Sequence, residues 1–397
     1  MLRKLLIGVA VIATLVAGVG TARLVLPRAD PTRGVVKQLA FLRAELEGGA
    51  DRAAQEQYPE GYFFLNVLYG LTWVQVGLTD PDRAVDAAGE ARWVLDRLTS
   101  PAGTAPFTES LQPSYGVFYA GWTNWLRGGL VALNQSNAGD LDAFLSQSVE
   151  IATAFRTAKT PYLASYPGQA WPVDSVVAIA SLRLYDSLVV PRFGQIARNW
   201  VTTVKTKLDP STGLLPHQVA PSAVGARASS QGIIQRFLLD VDPTFARAQY
   251  EIFRDEFVTR VGVREYPKGS GGPGDVDSGP LVLGMSLSAT VVAIGAAQVH
   301  HDPLADRLTR EGELVGLPWT GLKTKRYLFG AVPIGDAFLA WSKSARPFVA
   351  GEQAKLAGGW FWWRAPWLVL LWLPPLLLWG LWRYGRRGRR RLRSRGP

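Results

Sequence analysis

From residue 35 onward, two kinds of helical segment alternate along the chain. In one kind apolar residues cover every side, and in the other they line a single face with charges opposite. The one-faced pattern predicts amphipathic helices over 35–47, 80–98, 140–158, 192–208, 242–261 and 302–315. The fully apolar pattern predicts helices over 58–78, 115–133, 173–188, 229–239, 281–299 and 334–343. Start signals support the division. Asp-Pro pairs at 80–81, 242–243 and 302–303 open three of the amphipathic segments, and Ser278 is the expected N-cap of the apolar run from Leu281. Little of the chain has the period of a strand.

The loops leading into the apolar helices can be marked at Tyr58, Tyr115, Trp171, Ala228, Asp277 and Pro333. Successive marks are 57, 56, 57, 49 and 56 residues apart. That regularity predicts a structural repeat of one helical hairpin, made six times. A helix that is apolar all round must be buried on all sides, so the apolar six are expected to form an inner ring wrapped by the amphipathic six. The six loops then gather on one face.

Those loops are rich in aromatics beside charges. They carry Tyr58, Glu60 and Tyr62; Tyr115, Tyr119 and Trp122; Tyr166, Trp171 and Asp174; His217 and Arg227; Arg264, Glu265, Tyr266, Asp275 and Asp277; and Asp336 with Lys325 and Arg326. Ordinary surface turns favour Gly, Ser, Asn and Pro instead. The stretch 264–280 is the most unusual, with five glycines in all and with Asp275 and Asp277 beside Ser278 near its end. A loop so flexible costs entropy to order, which points to either a solvated turn or the rim of a site.

The two ends change the picture. Residues 5–20 are uncharged and mostly apolar after Arg3 and Lys4, the pattern of a signal anchor or a cleaved signal peptide over residues 1–27. Residues 366–382 are an apolar run between Trp360, Trp362 and Trp363 and a tail holding eight arginines. An aromatic belt, an apolar core and then arginines predict a transmembrane helix over 359–384 with a cytoplasmic tail, 385–397. Pro374-Pro375 is expected to kink it. The body, 28–358, is then expected outside the cytoplasm.

The net charge of +11 belongs to these ends. Eleven of the 43 Lys and Arg lie in residues 1–23 and 383–397, and the remaining 32 balance 32 Asp and Glu. No nucleic-acid partner is expected from a neutral body. The chain has no cysteine, so neither disulfides nor thiolate chemistry contributes. It has no HExxH or Walker motif, and the glycines of 269–274, though they fall at GxGxxG spacing, lack the preceding strand and the Lys of a phosphate loop, so neither metal nor cofactor is expected. Leu317-Pro318-Trp319-Thr320-Gly321 matches a sorting pattern, but about 45 residues separate it from the apolar span. It is taken as a chance match.

With twelve predicted helices, Tyr166-Pro167-Gly168-Gln169-Ala170-Trp171-Pro172-Val173-Asp174-Ser175 and Gly274-Asp275-Val276-Asp277-Ser278-Gly279-Pro280, the chain resembles the six-hairpin, (α/α)6 toroid superfamily of glycosidases over about residues 33–345. It also resembles the linalool dehydratase-like branch of that architecture, whose site cysteines are missing here. The resemblance implies an all-α toroid acting on a cell-envelope glycan, by hydrolysis or by lyase-like elimination; hydrolysis would use two carboxyl groups, one an acid and the other a base or nucleophile. Asp174, Asp277, Asp275 and Glu265 are the candidates, and each also suits a helix cap or ion pair. Tyr58, Tyr115, Trp122, Tyr166, Trp171 and Tyr266 are candidate sugar platforms, with His217, Arg227 and Arg264 as polar contacts. The competing expectation is a non-catalytic glycan-binding or envelope-assembly scaffold on the same fold.

Overall fold

The computed structural model describes residues 2–26, 31–348 and 361–393, and side chains within 4–26, 32–348 and 362–384. The expected boundaries at 27/28 and 358/359, Trp360, and the side chains of the tail from residue 385 lie outside them.

The described residues are mostly helical. Helix α1 is Leu2–Val25, α2 Pro31–Glu47, α3 Ala50–Gln57, α4 Gly61–Thr79, α5 Ala84–Leu98, α6 Pro101–Thr104, α7 Gly116–Ala132 and α8 Ala138–Thr157. Then come α9 Pro172–Leu188, α10 Gly194–Val204, α11 Ala228–Val241, α12 Pro243–Phe257, α13 Leu287–Val299, α14 Leu304–Val315, α15 Pro333–Lys343 and α16 Arg364–Arg393. Three two-stranded hairpins join them: β1 (Val258–Thr259) with β2 (Gly262–Val263), β3 (Leu281–Val282) with β4 (Met285–Ser286), and β5 (Trp319–Thr320) with β6 (Lys325–Arg326).

The all-round apolar helices are the buried ones. Most side chains of α4, α7, α9 and α11 are inaccessible to solvent. Helix α4 packs on α7, α7 on α9, α9 on α11, α11 on α13, α13 on α15, and α15 on α4. The amphipathic helices cover them: α5 lies on α4, α8 on α7, α10 on α9, α12 on α11, α14 on α13, and α2 on α15 and α4. Two glycines allow the inner helices to approach. A Cβ on Gly121 of α7 would stand 3.0 Å from the backbone nitrogen of Ala178 in α9. On Gly232 of α11 it would stand 2.5 Å from Val292 of α13.

The inner helices meet over aromatic rings. Trp122 of α7 is 1% exposed, with its ring centre 5.7 Å from Phe64, 5.3 Å from Phe237 and 5.5 Å from Trp341. These rings come from α4, α11 and α15. Trp122→Ala is therefore expected to cost about 3–5 kcal/mol in denaturant unfolding. A change below about 1 kcal/mol would not fit a wholly buried indole.

Several boundaries differ from the sequence expectation. The apolar run at Leu281 begins as the β3–β4 hairpin, turning through Leu283 and Gly284 at positive φ. Helix α13 starts only at Leu287, and its N-cap is Ser286, which accepts from the Ala289 N–H at 3.0 Å. Ser278 caps no helix; its hydroxyl accepts from the Asp275 N–H. Helix α12 stops at Phe257 because β1 and β2 follow, and α10 stops at Val204. Helix α3 fills a segment read as a connection, and Arg97 and Asn66 hold its buried Asp51.

Two helices, Lys4–Val25 and Arg364–Tyr384, are long and apolar enough to cross a membrane. They pack antiparallel. The Trp372 indole N–H donates to Thr21 Oγ1 at 2.9 Å, and that of Trp379 to Thr14 Oγ1 at 3.0 Å. Helix α16 carries Pro374 and Pro375 within it.

Candidate functional site

The loops before α4, α7, α9, α11 and α13 meet one another. The α9 loop is built on a tight turn: the Gln169 N–H donates to the Tyr166 carbonyl, with Gly168 at φ 72° between them. The Val117 N–H at the start of α7 donates to the Ala164 carbonyl in this loop. The turn projects the Tyr166 hydroxyl onto Glu60 Oε1, 2.5 Å away and 106 residues earlier in the chain. Glu60 occupies the N-cap position of α4, but its side chain makes no capping bond.

Asp174 lies in the first turn of α9. Trp171 is the N-cap residue and has no side-chain capping bond. The Asp174 carboxyl instead accepts from the Ser165 hydroxyl at 2.5 Å and is 5% exposed. Burial pushes its pKa up to about 8; the Ser165 hydroxyl opposes the shift, and Glu60 and Asp277 add to it. The proton therefore stays on Asp174 at neutral pH.

Asp277 reaches this group from the α13 loop with 58% of its side chain exposed. Its pKa is still pushed up to about 6, first by desolvation against the rim and then by Asp275 and Glu60. His217 Nε2 is 3.9 Å from its carboxylate. The other ring nitrogen, Nδ1, is hydrogen-bonded to Ser230 Oγ. Burial and nearby Arg227 pull the His217 pKa down to about 4, so the ring is neutral at pH 7. The pair is thus a polar contact there and not an ion pair.

The other two candidate acids do different work. Arg227, the N-cap residue of α11, donates from Nε to Glu265 Oε1 at 2.9 Å and from Nη1 to Asp275. Glu265 is fully buried and also accepts from the Ser229 hydroxyl at 2.7 Å. Burial raises its pKa against the pull of Ser229 and Arg227. Burial acts on Asp275 too, but the Ser278 N–H and the Arg227 charge outweigh it and hold that carboxyl low. The guanidinium lies 5.0 Å from the Tyr266 ring centre. Glu265, Asp275 and Arg227 thus form the ion-paired floor of the glycine-rich loop.

The aromatic candidates divide. Tyr166 and Trp171 are half-buried beside the acids, edge to face at 5.8 Å. Tyr58 is half-buried at the end of α3, one turn from Glu60. Tyr115 starts α7 at φ 65°, with its ring 5.3 Å from Tyr119. Trp122 is in the core, two helical turns below the rim. Arg264 lies apart from the acids; with Tyr266, Leu283 and Met285 it lines a shallow pocket of about 350 Å³ that contains no carboxylate. The chemistry is concentrated on the acids, not in that pocket. Asp336 and Lys325 belong to another cluster: Asp336 accepts from the Tyr327 N–H and from Gln38, and Lys325 pairs with Glu313.

Glu60, named among the loop residues but not among the candidate acids, completes the arrangement with Ser165, Ser229 and Ser230, which the sequence did not single out. Glu60 carried a signal, a carboxylate just before an apolar helix, but the serines look like ordinary turn residues. Among the described residues, no group of three His, Asp or Glu side chains is arranged to hold a metal ion. No family model matches the chain, and no curated protein matches it in sequence.

Proposed function

We propose that twelve of the fourteen body helices, all but α3 and α6, close into an (α/α)6 toroid, held outside the cytoplasm by the two terminal spans, and that its rim hydrolyses a cell-envelope glycan. The closed order of inner-helix packing, from α4 round to α15 and back, supports the toroid. The arginine tail supports the orientation. The observation that carries the enzymatic reading is that Glu60, Asp174 and Asp277, from three separate loops, lie near enough for their charges to act on one another, with Asp174 pushed up to about 8 and Asp277 to about 6.

Two carboxyls with separated pKa values suit acid and base roles. Asp174 gives its proton to the glycosidic oxygen as the anomeric C–O bond breaks. Asp277 takes a proton from the water that attacks the anomeric carbon. Glu60, held by Tyr166, places negative charge near both. Tyr166 and Trp171 provide the aromatic surface against which a sugar ring packs.

The pH profile is expected to follow. The base works above its pKa and the acid below its own, so kcat/KM should be bell-shaped with limbs near 6 and 8. The test is turnover of an envelope-glycan panel by the full chain in detergent, from pH 4 to 10. A responsive glycan with that bell supports the reading. A second reading is a glycan-binding module, favoured because Arg227 already holds two of the four candidate acids in ion pairs. Binding without turnover across the panel would select it.

A further inference from the structure

The loop that matches a sorting pattern has no part in the rim. It forms the β5–β6 hairpin, with Trp319 opposite Arg326 and Thr320 opposite Lys325. The Gly321 N–H donates to the Thr324 carbonyl, which places Leu322 and Lys323 at the tip. Leu322 is 97% exposed, Trp319 59% and Leu317 50%, and Phe329 just beyond the hairpin is 68% exposed. A single exposed leucine needs no explanation, but a cluster of large apolar residues in one short segment marks a contact surface.

The position of the cluster identifies what it contacts. Arg23, in the last turn of α1, donates to the carbonyl oxygens of Glu313 at 3.2 Å and Pro318 at 3.4 Å. Arg310 of α14 reaches the carbonyls of Leu24 at 3.2 Å and Leu26 at 2.8 Å, covering the open C-terminal end of α1. Arg364, at the start of α16, donates to the Leu24 carbonyl at 3.0 Å, and Trp367 to Glu311 at 3.0 Å. Lys37 holds the turn through the Gly321 carbonyl at 2.8 Å. The hairpin is therefore fastened where both terminal helices meet the body, with exposed Leu26 and Trp362 beside that junction.

We infer that the β5–β6 hairpin beds in the interfacial layer of the bilayer, with Leu317, Trp319 and Leu322 among the upper acyl chains and Lys323 at the headgroups. This rests on the reading of α1 and α16 as membrane spans. Tryptophan, leucine and lysine on a short turn are the residue types that partition there. The hairpin, fastened to the covered end of α1 and close to the start of α16, is then a third point of attachment beside the two spans. It limits how far the body can tilt on its two spans, and so fixes the height of the rim above the lipid.

The absence of cysteine allows a clean test. Single variants Trp319→Cys, Leu322→Cys, Ile12→Cys, Leu376→Cys and Val190→Cys of the full chain are nitroxide-labelled and reconstituted in phosphatidylcholine–phosphatidylglycerol vesicles. All five positions are exposed, so the variants should fold. The ratio of oxygen to nickel-chelate accessibility is then read by electron paramagnetic resonance. Labels at 319 and 322 are expected to show a ratio roughly threefold above that at 190, as for groups about 5–10 Å into the interface. Labels at 12 and 376 should show a higher ratio still. If 319 and 322 match 190 while 12 and 376 read as buried in lipid, the hairpin inference is overturned and the spans stand. Dipolar broadening between hairpin labels in that case would assign the face to a second copy of the chain. If 12 and 376 also match 190, the membrane reading fails and takes the inference with it.

Discussion

Asp277→Asn is expected to lower turnover of a responsive glycan by about 10²–10⁴-fold, the usual contribution of a positioned acid or base. Asn keeps the shape and most hydrogen bonds but cannot take a proton from water. With 58% of its side chain exposed and only a polar contact to His217 at 3.9 Å, Asp277 contributes little to stability. The variant should therefore melt close to the parent, with the loss falling on kcat more than on KM. A second effect should accompany it. Asp277 is one of the charges that hold the Asp174 pKa up, so its removal should move the alkaline limb of any residual activity to lower pH. Unchanged turnover with an unchanged alkaline limb would remove Asp277 from the mechanism.

Arg227→Met is expected to cost about 3–5 kcal/mol, because it leaves a buried carboxylate without its cation. Glu265 has no exposed surface, and Ser229 is its other side-chain partner. The sign of the pH dependence follows. The Glu265 pKa is already raised by burial, and losing Arg227 raises it further. The folded variant then binds a proton that the unfolded chain has released. Its stability is greatest below the unfolded carboxyl pKa, falls as pH rises through the folded one, and is flat above that. Denaturant melts at pH 4 and pH 8 should thus show a larger penalty at pH 8. Adding Glu265→Gln should recover most of the loss at pH 8. A penalty below about 1 kcal/mol at both pH values would mean that the ion pair does not hold the loop.

The helical alternation was legible because the two patterns differ over ten or more residues, long enough for the period to declare itself. All twelve expected body segments contain a helix. The run at 281 misled because short apolar stretches suit strand and helix equally, and only the turn through Leu283 and Gly284 separates them. Equal spacing led to six loops on one face; five of them touch, the sixth holds its own cluster around Asp336 and Lys325, and the partners within the five were not legible. Arg227 could be paired with Glu265 or Asp275 on charge alone, and it binds both. Trp122 was placed at the rim because it follows Tyr115 and Tyr119 closely. A residue seven positions along a helix lies about 10 Å below its start, which is core and not cleft. Ser165 and Ser230 matter for what they hold, Asp174 and His217, and a hydroxyl in a turn carries no mark of its target.

A carboxyl whose proton is held first by burial and then by charges from two distant loops gives a direct measurement. Difference infrared spectroscopy of the full chain, titrated from pH 5 to 10, reads protonated carboxyl groups through their C=O stretch. A band missing in Asp174→Asn is expected to disappear with a midpoint near 8. Its midpoint should fall in both Glu60→Gln and Asp277→Asn, since each removes a negative charge from the same cleft. If no Asp174 band persists above pH 6, or if neither substitution moves its midpoint, the three acids do not share a cleft and the catalytic rim is contradicted.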